Sequence, residues 1–272
     1  MMPKREKGRP FLEIFASALN EDYRFPLLEI FAFLYALATF AFASLTSSAI
    51  QSSAGQGDTV AYTLTSSLLG FPLFIFVILI FKNIAYGIGN DIEKGIVQTY
   101  LSYPLKRRSI LTAKLLSALG VGLLLFLSIQ LMGLFSLAPD VVGPHIGTVL
   151  LTYVASMSYP FLLAGIILLL ALILRRGGLA LVVGIVLYFA ASIVQSILMF
   201  LAYATNSTIG LQILSVISPN TALASYYQLI GLPTSAWQPS FTEVLLYIGG
   251  SYAIVAFVFA LAYLYFSRRL NL

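Results

Sequence analysis

The sequence predicts an all-α integral membrane protein with six transmembrane helices. Hydrophobic residues make up 60% of the chain and charged residues 9%, whereas water-soluble domains carry about 25% charged residues. A membrane-spanning helix needs about 20 mostly apolar residues, and the chain contains six such runs. We therefore expect an N-terminal segment over residues 1–26 and one transmembrane domain over 27–272, with spans at about 27–50, 63–87, 110–136, 148–174, 179–203 and 243–266.

The positions of lysine and arginine predict the orientation of these spans. All 15 of these residues lie before the first span, around the connection between the second and third spans, or after the fourth and sixth spans. The connections 51–62, 137–147 and 204–242 contain none. Because positive side chains near helix ends are retained on the cytoplasmic side, we expect a multi-pass protein of the cell membrane with both termini in the cytoplasm. The net charge of +5 also favours contact with membrane lipid. The basic residues form separate clusters and no single stripe, so no nucleic-acid partner is expected.

The first apolar run also has to be distinguished from a cleaved signal sequence. A charged leader of 26 residues precedes it. Its length of about 24 residues exceeds the 7–15 residues that are typical of a signal-peptide core. We therefore interpret residues 27–50 as a membrane span.

The residues before the first span form an amphipathic pattern. Polar residues occupy one side, and the other side is formed at helical spacing by Phe11, Ile14, Phe15, Ala18 and Leu19. The pattern predicts a helix that lies flat in the membrane interface, starting after Pro10 and ending before Pro26. This helix is either a simple topological anchor or a lever that docks on a cytoplasmic partner and moves the first span.

The connection 204–242 is too long for a turn and too apolar for a free loop. Two short helices are predicted at 209–217 and 221–232, separated by Pro219. Neither can span the bilayer at about 1.5 Å per residue. They either dip into the outer leaflet as a re-entrant pair, which requires burial in protein and implies an outer gate, or rest on the surface. In the second case the interfacial anchors would be Tyr226, Tyr227 and Trp237.

Polar groups inside the predicted spans are few. No Asp, Glu, Lys, Arg or His lies at membrane depth, since Glu29, Lys82 and Glu243 are at helix ends. Ion-coupled transporters usually keep such groups at depth, so a secondary transporter is disfavoured. The two notable polar residues at depth, Gln130 and Gln195, either form hydrogen bonds between helices or face a substrate path.

Composition and motifs also argue against an enzyme. The chain has no cysteine and one histidine, His145, which cannot form the usual zinc set and is expected to be a plain loop residue. No G-x-x-x-x-G-K-[S/T] phosphate-binding loop is present. We therefore predict no catalytic, metal-binding or cofactor-binding residue in this chain, and any ATP hydrolysis must occur on a separate protein.

The connection after the second span holds eight of the 25 charged residues, all between positions 82 and 114. A short helix is predicted over about 91–102, with one side formed at three- and four-residue spacing by Glu93, Val97 and Tyr100. Acidic residues at its start are favoured by the helix dipole, and Pro104 would end it. Such an acidic and apolar face fits a groove on a soluble protein. Alternatively, the segment is a connector whose charges only keep it in the cytoplasm.

This connection resembles a short motif of type-2 ABC transporter permeases. Their loop reads E-x-G, several residues, L-x-x-P, a basic or polar pair and a lysine before the next span. It is matched by Glu93-Lys94-Gly95, Leu101, Pro104, Arg107, Arg108, Ile110-Leu111 and Lys114. Six spans, cytoplasmic termini, an amphipathic N-terminal helix and re-entrant helices before the last span are also what that family would show. The resemblance therefore covers nearly the whole chain and implies a type-2 ABC exporter-like fold.

The resemblance further implies a half-size permease that works as an exporter. A separate ABC ATPase subunit, which binds ATP and magnesium, would dock on the coupling loop 88–109. The permease would form a dimer with a second copy of itself or with a related permease. The residues implied in coupling to the ATPase are Asp91, Glu93, Lys94, Gly95, Val97, Tyr100, Pro104, Arg107, Arg108 and Lys114.

Three other classes of function are alternatives. A non-transporting membrane scaffold or assembly subunit would bind partners without ATP turnover that depends on both proteins. An ion-coupled secondary transporter would follow a proton or sodium gradient without ATP. An intramembrane enzyme would need a nucleophile, a base or a metal site that the sequence does not supply.

Overall fold

A computed structural model describes residues 10–50, 57–101, 105–205, 207–227 and 237–268. All regular structure in these ranges is helical, which confirms the predicted all-α class. Between α3 and α4 the helix widens into a π-helical turn over Ala85–Asn90, called the π segment below. The α-helices are α1 (Pro10–Asp22), α2 (Leu27–Ile50), α3 (Gly57–Ile84), α4 (Asp91–Glu93), α5 (Ile96–Leu101), α6 (Arg107–Leu137), α7 (Pro139–Val142), α8 (Ile146–Leu174), α9 (Gly177–Thr205), α10 (Ile209–Ile217), α11 (Asn220–Tyr226) and α12 (Phe241–Arg268).

Six membrane spans can be identified in the described residues. The first is α2, which follows α1 at a bend of 63° and has 24 residues, or about 36 Å of helix. Five helices pass by their own length and composition, and the number reaches the predicted six when the stretch containing α2 is counted. The other five helical stretches that are long and apolar enough to cross a membrane are Gly57–Glu93, Arg107–Leu137, Ile146–Leu174, Gly177–Ala202 and Phe241–Arg268.

The second span is six residues longer than predicted at each end, and the difference at its end bears on the site. The sequence predicts that this span ends near residue 87 and that a loop follows. Instead, helical structure continues through the π segment and α4 to Glu93. The polar residues indicate a loop, but Asp91 is only 1% exposed. The helix continues through this polar stretch because the Asp91 side chain is paired inside the protein.

The two ends of the bundle differ in charge. Every lysine and arginine that the structure describes lies where α3, α8 and α12 end and where α2, α6 and α9 begin. We call this the basic end and the other the opposite end. At the opposite end, His145 Nδ1 lies 2.8 Å from Asp58 Oδ1. His145 therefore joins the start of α3 to the connection before α8, a contact that the prediction of a plain loop residue does not include.

The spans differ in how deeply they are buried. In the most apolar part of the second span and of α8, 61% and 56% of residues are buried, against 17% in α9 and 22% in α12. Aromatic side chains fill the centre: the Phe126 ring of α6 lies 5.8 Å from that of Tyr35 and 4.9 Å from that of Phe76, between ring centroids. α9 is therefore a peripheral span, and most of its apolar surface is not covered by other described parts of the chain.

Gln130 of α6 is fully buried and forms hydrogen bonds between three spans. Its Nε2 donates to Thr39 Oγ1 of α2 at 2.7 Å, and Tyr153 OH of α8 lies 3.5 Å from its Oε1. The structure therefore favours the interhelical alternative for Gln130 over a substrate path. Gln195 is half-buried on α9 and forms no hydrogen bond with the described residues. Its assignment to a substrate path stays a prediction.

α10 enters the layer of the spans from the opposite end. Its bounds agree with the predicted helix over 209–217. A Cβ added to Gly210 would lie 2.9 Å from Leu198 O, which is about 10 Å from the end of α9. Ser251 Oγ donates a hydrogen bond to Ile217 O at 3.4 Å, and Ser251 lies about 15 Å along α12 from its first residue. The end of α10 is therefore deep between the spans.

α11 returns from this depth towards the opposite end. Its start is bonded by Tyr62 OH, which donates to Asn220 Oδ1 at 3.1 Å. At its end, Tyr227 OH lies 3.4 Å from Thr148 Oγ1 near the start of α8, and the Tyr227 ring stacks on Tyr62 at 5.0 Å. These contacts favour the re-entrant alternative over a pair of helices resting on the surface. α11 ends at Tyr226, and most of the remaining predicted helix, to residue 232, lies outside the described residues.

The two glutamines provide a test of the interhelical contact. We expect Gln130→Leu to lower the melting temperature of the detergent-solubilised protein, because Thr39 and Tyr153 lose their partner. Such contacts contribute about 0.6–2 kcal/mol between membrane helices. Gln195→Leu is the matched control and is expected not to lower the melting temperature. Equal losses in the two variants would contradict a special role for Gln130.

Candidate functional site

The residues implied in coupling do not lie on one helix. α4 ends at Glu93, and Lys94 and Gly95 form a turn before α5. Gly95 has a φ of +71°, a conformation that glycine adopts without strain and other residues rarely do. The predicted continuous helix over 91–102 is therefore wrong, because a left-handed residue breaks it. Pro104 lies outside the described residues.

A buried ion pair joins α4 to α6. Lys114 Nζ pairs with the Asp91 carboxylate and donates a hydrogen bond to Gly87 O at 2.7 Å. Glu21 Oε2, at the end of α1, lies 3.7 Å from the same nitrogen. Asp91 is 1% exposed and Lys114 is 5% exposed. Since buried charges need partners, Lys114 gathers α1, the π segment and α4 around the first turns of α6. These two implied coupling residues contact each other and are inaccessible to a partner.

Asp22, the last residue of α1, carries a second group of polar contacts. Its Oδ2 accepts a hydrogen bond from Ser117 Oγ of α6 at 2.6 Å. Its backbone oxygen accepts one from Lys82 Nζ of α3 at 2.7 Å. Burial raises the pKa of Asp22 to about 6, and this effect exceeds the lowering by the Ser117 hydrogen bond and by the charges of Lys82 and Lys114. Asp22 therefore connects α1 to both the second and the third span.

The next residue extends this attachment along α6. Tyr23 OH donates to Ala118 O at 3.0 Å and accepts a hydrogen bond from Gly122 N at 2.9 Å. Gly122 leaves room for the phenol, because a Cβ there would lie 3.2 Å from the Tyr23 oxygen. The turn between α1 and α2 is therefore attached to the backbone of α6 by hydrogen bonds.

The apolar side of α1 packs against protein. Ile14 is 3% exposed and Ala18 is 2% exposed, and Ile14 clusters with Ile110 and Ala113 of α6. The predicted helix is present over Pro10–Asp22, but its apolar stripe meets α6. A simple lipid anchor does not require such a contact, so the packing favours the lever alternative. The other members of the stripe are half-buried: Phe11, Phe15 and Leu19.

Two glycines of the π segment allow neighbouring elements to approach it closely. A Cβ on Gly87 would lie 2.8 Å from Asp22 Oδ1 of α1, and a Cβ on Gly89 would lie 2.8 Å from Gly177 Cα of α9. Each position therefore has no space for a larger side chain unless the neighbour moves. π-helical turns inside α-helices occur frequently at functional sites, and this one contacts α1 and α9 at positions two residues apart.

Glu93 contacts the first residue of α9. Its Oε2 accepts a hydrogen bond from Gly177 N at 3.3 Å, although much of its side chain is exposed. α8 ends at Leu174, and its C-cap Arg175 has a left-handed φ of 53°. The chain turns there, so that α9 begins beside α4. Glu93 therefore touches another span in addition to facing solvent.

The accessible part of the implied coupling set is mostly basic. Val97 is only 3% exposed, and the Tyr100 ring lies 5.2 Å from Lys114 Nζ, with the ring half-buried. The predicted acidic and apolar docking face is therefore wrong, because helical spacing indicates which residues share a face but not what that face meets. The exposed charged side chains of the segment are Glu93, Lys94, Lys106, Arg107 and Arg108.

Several residues of this site are not predicted from the sequence. Asp22 follows Ala18 of the apolar stripe by four residues, so it is an acidic residue on the apolar side of the helix, and its charge does not indicate which span it contacts. Ser117 is one small polar residue in an apolar span. Gly177 follows two arginines, which indicate only a cytoplasmic connection. Their only shared signal is a polar or glycine residue near a predicted span end, and such residues occur at most span ends. Their roles depend on contacts between distant parts of the chain.

The polar contacts of this site connect helices to one another. In the part of the chain that the structure describes, no group of three or more His, Cys, Asp or Glu residues could hold a metal ion. The polar groups of Lys114, Asp22 and Tyr23 are bonded to groups of neighbouring helices. They fix helices relative to one another, which lets a displacement of one element move the others.

One comparison with known proteins identifies a related family. A family model described as ABC-2 family transporter protein matches residues 88–269, about two thirds of the chain. The matched region begins in the π segment and includes α4, α5 and the four spans that follow. No curated protein matches the chain.

Substitution of Lys114 tests the buried ion pair. Lys114→Met leaves Asp91 buried without its counter-charge, and removing one partner of such a pair costs about 3–5 kcal/mol. We expect a large fall in melting temperature in detergent, and Asp91→Leu in the same chain should restore most of it. Lys106→Met, which changes an exposed lysine of the same region, is the control. If the fall in melting temperature of the double variant equals the sum of the falls in the Lys114→Met and Asp91→Leu single variants, the pairing is ruled out.

The raised pKa of Asp22 makes stability depend on pH. The ordinary pKa of 3.8 applies to the unfolded chain and about 6 to the folded one. The folded chain therefore binds the proton more tightly, so stability is gained as pH falls from about 6 towards about 4 and lost as pH rises through about 6. Two pKa units correspond to about 3 kcal/mol.

We therefore expect the melting temperature of the wild type, relative to Asp22→Asn, to increase between about pH 7 and about pH 5. Asp140→Asn, which changes an exposed carboxyl group at the opposite end, controls for general effects of charge. If the melting temperatures of the wild type and Asp22→Asn differ by the same amount at both pH values, Asp22 does not titrate in this range.

Proposed function

Since the chain belongs to the ABC-2 family of transporter proteins, we propose that it forms the transmembrane half of an exporter driven by a separate ATPase. Membership of the family makes it a permease, the multi-pass membrane component of a transporter. The proposal adds an ABC ATPase subunit with bound ATP and magnesium, outward transport, and a dimer with a second copy or with a related permease. The observation that carries it is the buried pair of Asp91 and Lys114, which joins an exposed segment to the spans.

The basic end is proposed to lie in the cytoplasm of a cell-membrane protein. The distribution of lysine and arginine supports this orientation through their retention on the cytoplasmic side. ATP is then available on the same side as α4, α5 and the start of α6. Outward transport is proposed by analogy with the exporters that the sequence resembles.

The docking surface for the ATPase is proposed to be the exposed side of the segment from Lys94 to Arg108. Its exposed charged residues are four basic side chains: Lys94, Lys106, Arg107 and Arg108. A complementary ATPase surface would be acidic, and electrostatic complementarity of this kind guides association and selects partners. This differs from the acidic docking face that helical spacing predicts.

Movement at this surface has a direct route to the spans. A push on α5 would reach α6 through Val97 and Tyr100, and would reach α1 through the contacts of Lys114 and Asp22. The re-entrant α10–α11 hairpin at the opposite end is proposed as the outer gate. In this scheme no ion binds at membrane depth, and the energy enters at the basic end.

Copurification with an ATPase tests the proposed function most directly. The tagged chain would be purified from its source membrane, and the ATP turnover of the complex compared with that of the isolated ATPase. Stable association, with turnover that depends on both proteins, supports a permease. Association without such dependence would indicate a scaffold. Flux that follows an ion gradient without ATP would indicate a secondary transporter.

Charge reversal tests the basic docking surface. We expect Lys106→Glu together with Arg108→Glu to abolish copurification with the ATPase, because four units of charge change opposite an acidic surface. In the wild type, added salt should weaken the association, because it screens the attraction between exposed charges. Arg176→Glu together with Arg268→Glu makes the same charge change at the same end but outside the segment, and should leave association intact. Equal loss in both double variants would place docking elsewhere.

A further inference from the structure

The start of α9 is held against the π segment by close backbone contact. A Cβ on Gly177 would contact Asn90 Oδ1 and would lie 2.7 Å from Ala85 O. Gly89 faces Gly177 from the other side of the contact. At the next position, Gly178, a Cβ would meet nothing within 4 Å. Close packing is therefore specific to Gly177 and does not reflect a general need for glycine at the start of this helix.

The same helix end donates a hydrogen bond to α4, which adjoins the segment proposed to dock the ATPase. The first N–H groups of a helix have no partner within the helix, and Gly177 N donates to Glu93 Oε2 at 3.3 Å. A carboxylate at this place is also favoured by the helix dipole. The two residues before Gly177 are Arg175 and Arg176, whose side chains carry no hydrogen-bond acceptor. The cap therefore comes from α4.

Elsewhere α9 is held less firmly. Only 17% of the residues in its most apolar part are buried, the lowest fraction among the last five spans. Near the opposite end it contacts the hairpin where Gly210 meets Leu198. A span with so little buried surface can change position at low cost, since lipid tails are as apolar as its own side chains.

We propose that Gly177 and Glu93 are positioning residues that make α9 move together with the π segment and α4. Displacement of the docked segment is then transmitted to α9 as well as to α1. This inference rests on the proposed docking of an ATPase and deepens it. It also gives Glu93 a role within the chain, as the cap of α9, in place of the contact with the ATPase that the resemblance implies.

Spin labels on the isolated chain test the attachment without an ATPase. The chain has no cysteine, so cysteines introduced at Gln98 on α5 and Val182 on α9, both exposed, would carry the only labels. We expect one narrow distance distribution in the wild type and in Gly178→Ala. Gly177→Ala should shift and broaden it, because its methyl group cannot fit beside Asn90 and Ala85. Identical distributions in the two variants would overturn the attachment.

Labels on the complex test the transmission. With cysteines at Val182 and Leu264, the distance between α9 and α12 would be measured with and without ATP. We expect an ATP-dependent shift in the wild type and in Gly178→Ala, and its loss in Gly177→Ala and Glu93→Leu while the ATPase still binds. Glu93→Gln keeps an acceptor oxygen and should keep the shift.

The outcomes separate the two proposals. A normal shift in both Gly177→Ala and Glu93→Leu would overturn the transmission through α9. Loss of ATPase binding in Glu93→Leu would place Glu93 on the docking surface and overturn its role as a positioning residue. If the wild-type chain binds no ATPase, the proposed function fails, and the distances in the isolated chain still decide whether α9 is attached to the π segment.

Discussion

The buried ammonium group of Lys114 is the constraint on which the geometry of the basic end depends. With 5% exposure, this charge would cost several kcal/mol without partners. The partners are the Asp91 carboxylate and Gly87 O, with Glu21 3.7 Å away. They belong to α4, the π segment and α1, so one charge on α6 determines where three other elements lie. The fold at this end follows from neutralising that charge.

The π segment accepts a hydrogen bond from Lys114 and also contacts α1 and α9. An ordinary α-helix with side chains on both sides would keep its neighbours at the usual interhelical distance of 8–10 Å. Gly87 and Gly89 lack side chains, and so Asp22 of α1 and Gly177 of α9 approach the backbone of the same segment. The charge of Lys114 is thereby compensated next to two close contacts. Substituting either glycine would move a helix, and the consequence would reach beyond the substituted residue.

Length and periodicity predict the elements of this chain better than their contacts. The bounds of α2 and α10 agree with the apolar runs at 27–50 and 209–217, because burial in lipid or protein depends mainly on local composition. The turn at Gly95 has a local signal, since glycine commonly follows the end of a helix. The pairing of Asp22 with Ser117 across 95 positions has none. Contacts of that kind depend on how the spans pack, and spacing along one helix does not specify its neighbour.

The order of energetic costs indicates how such a permease would move. Separating Asp91 from Lys114 would leave two buried charges and cost about 3–5 kcal/mol, so the attachment of α1 and α4 to α6 should persist through any working cycle. α9 exposes apolar side chains along most of its length, and exchanging their contacts with lipid for contacts with protein changes little free energy. A push at the basic end therefore meets least resistance when the attached elements rotate as one unit and carry the start of α9. The charges at this end then act as rigid connections, and the apolar periphery provides the freedom to move.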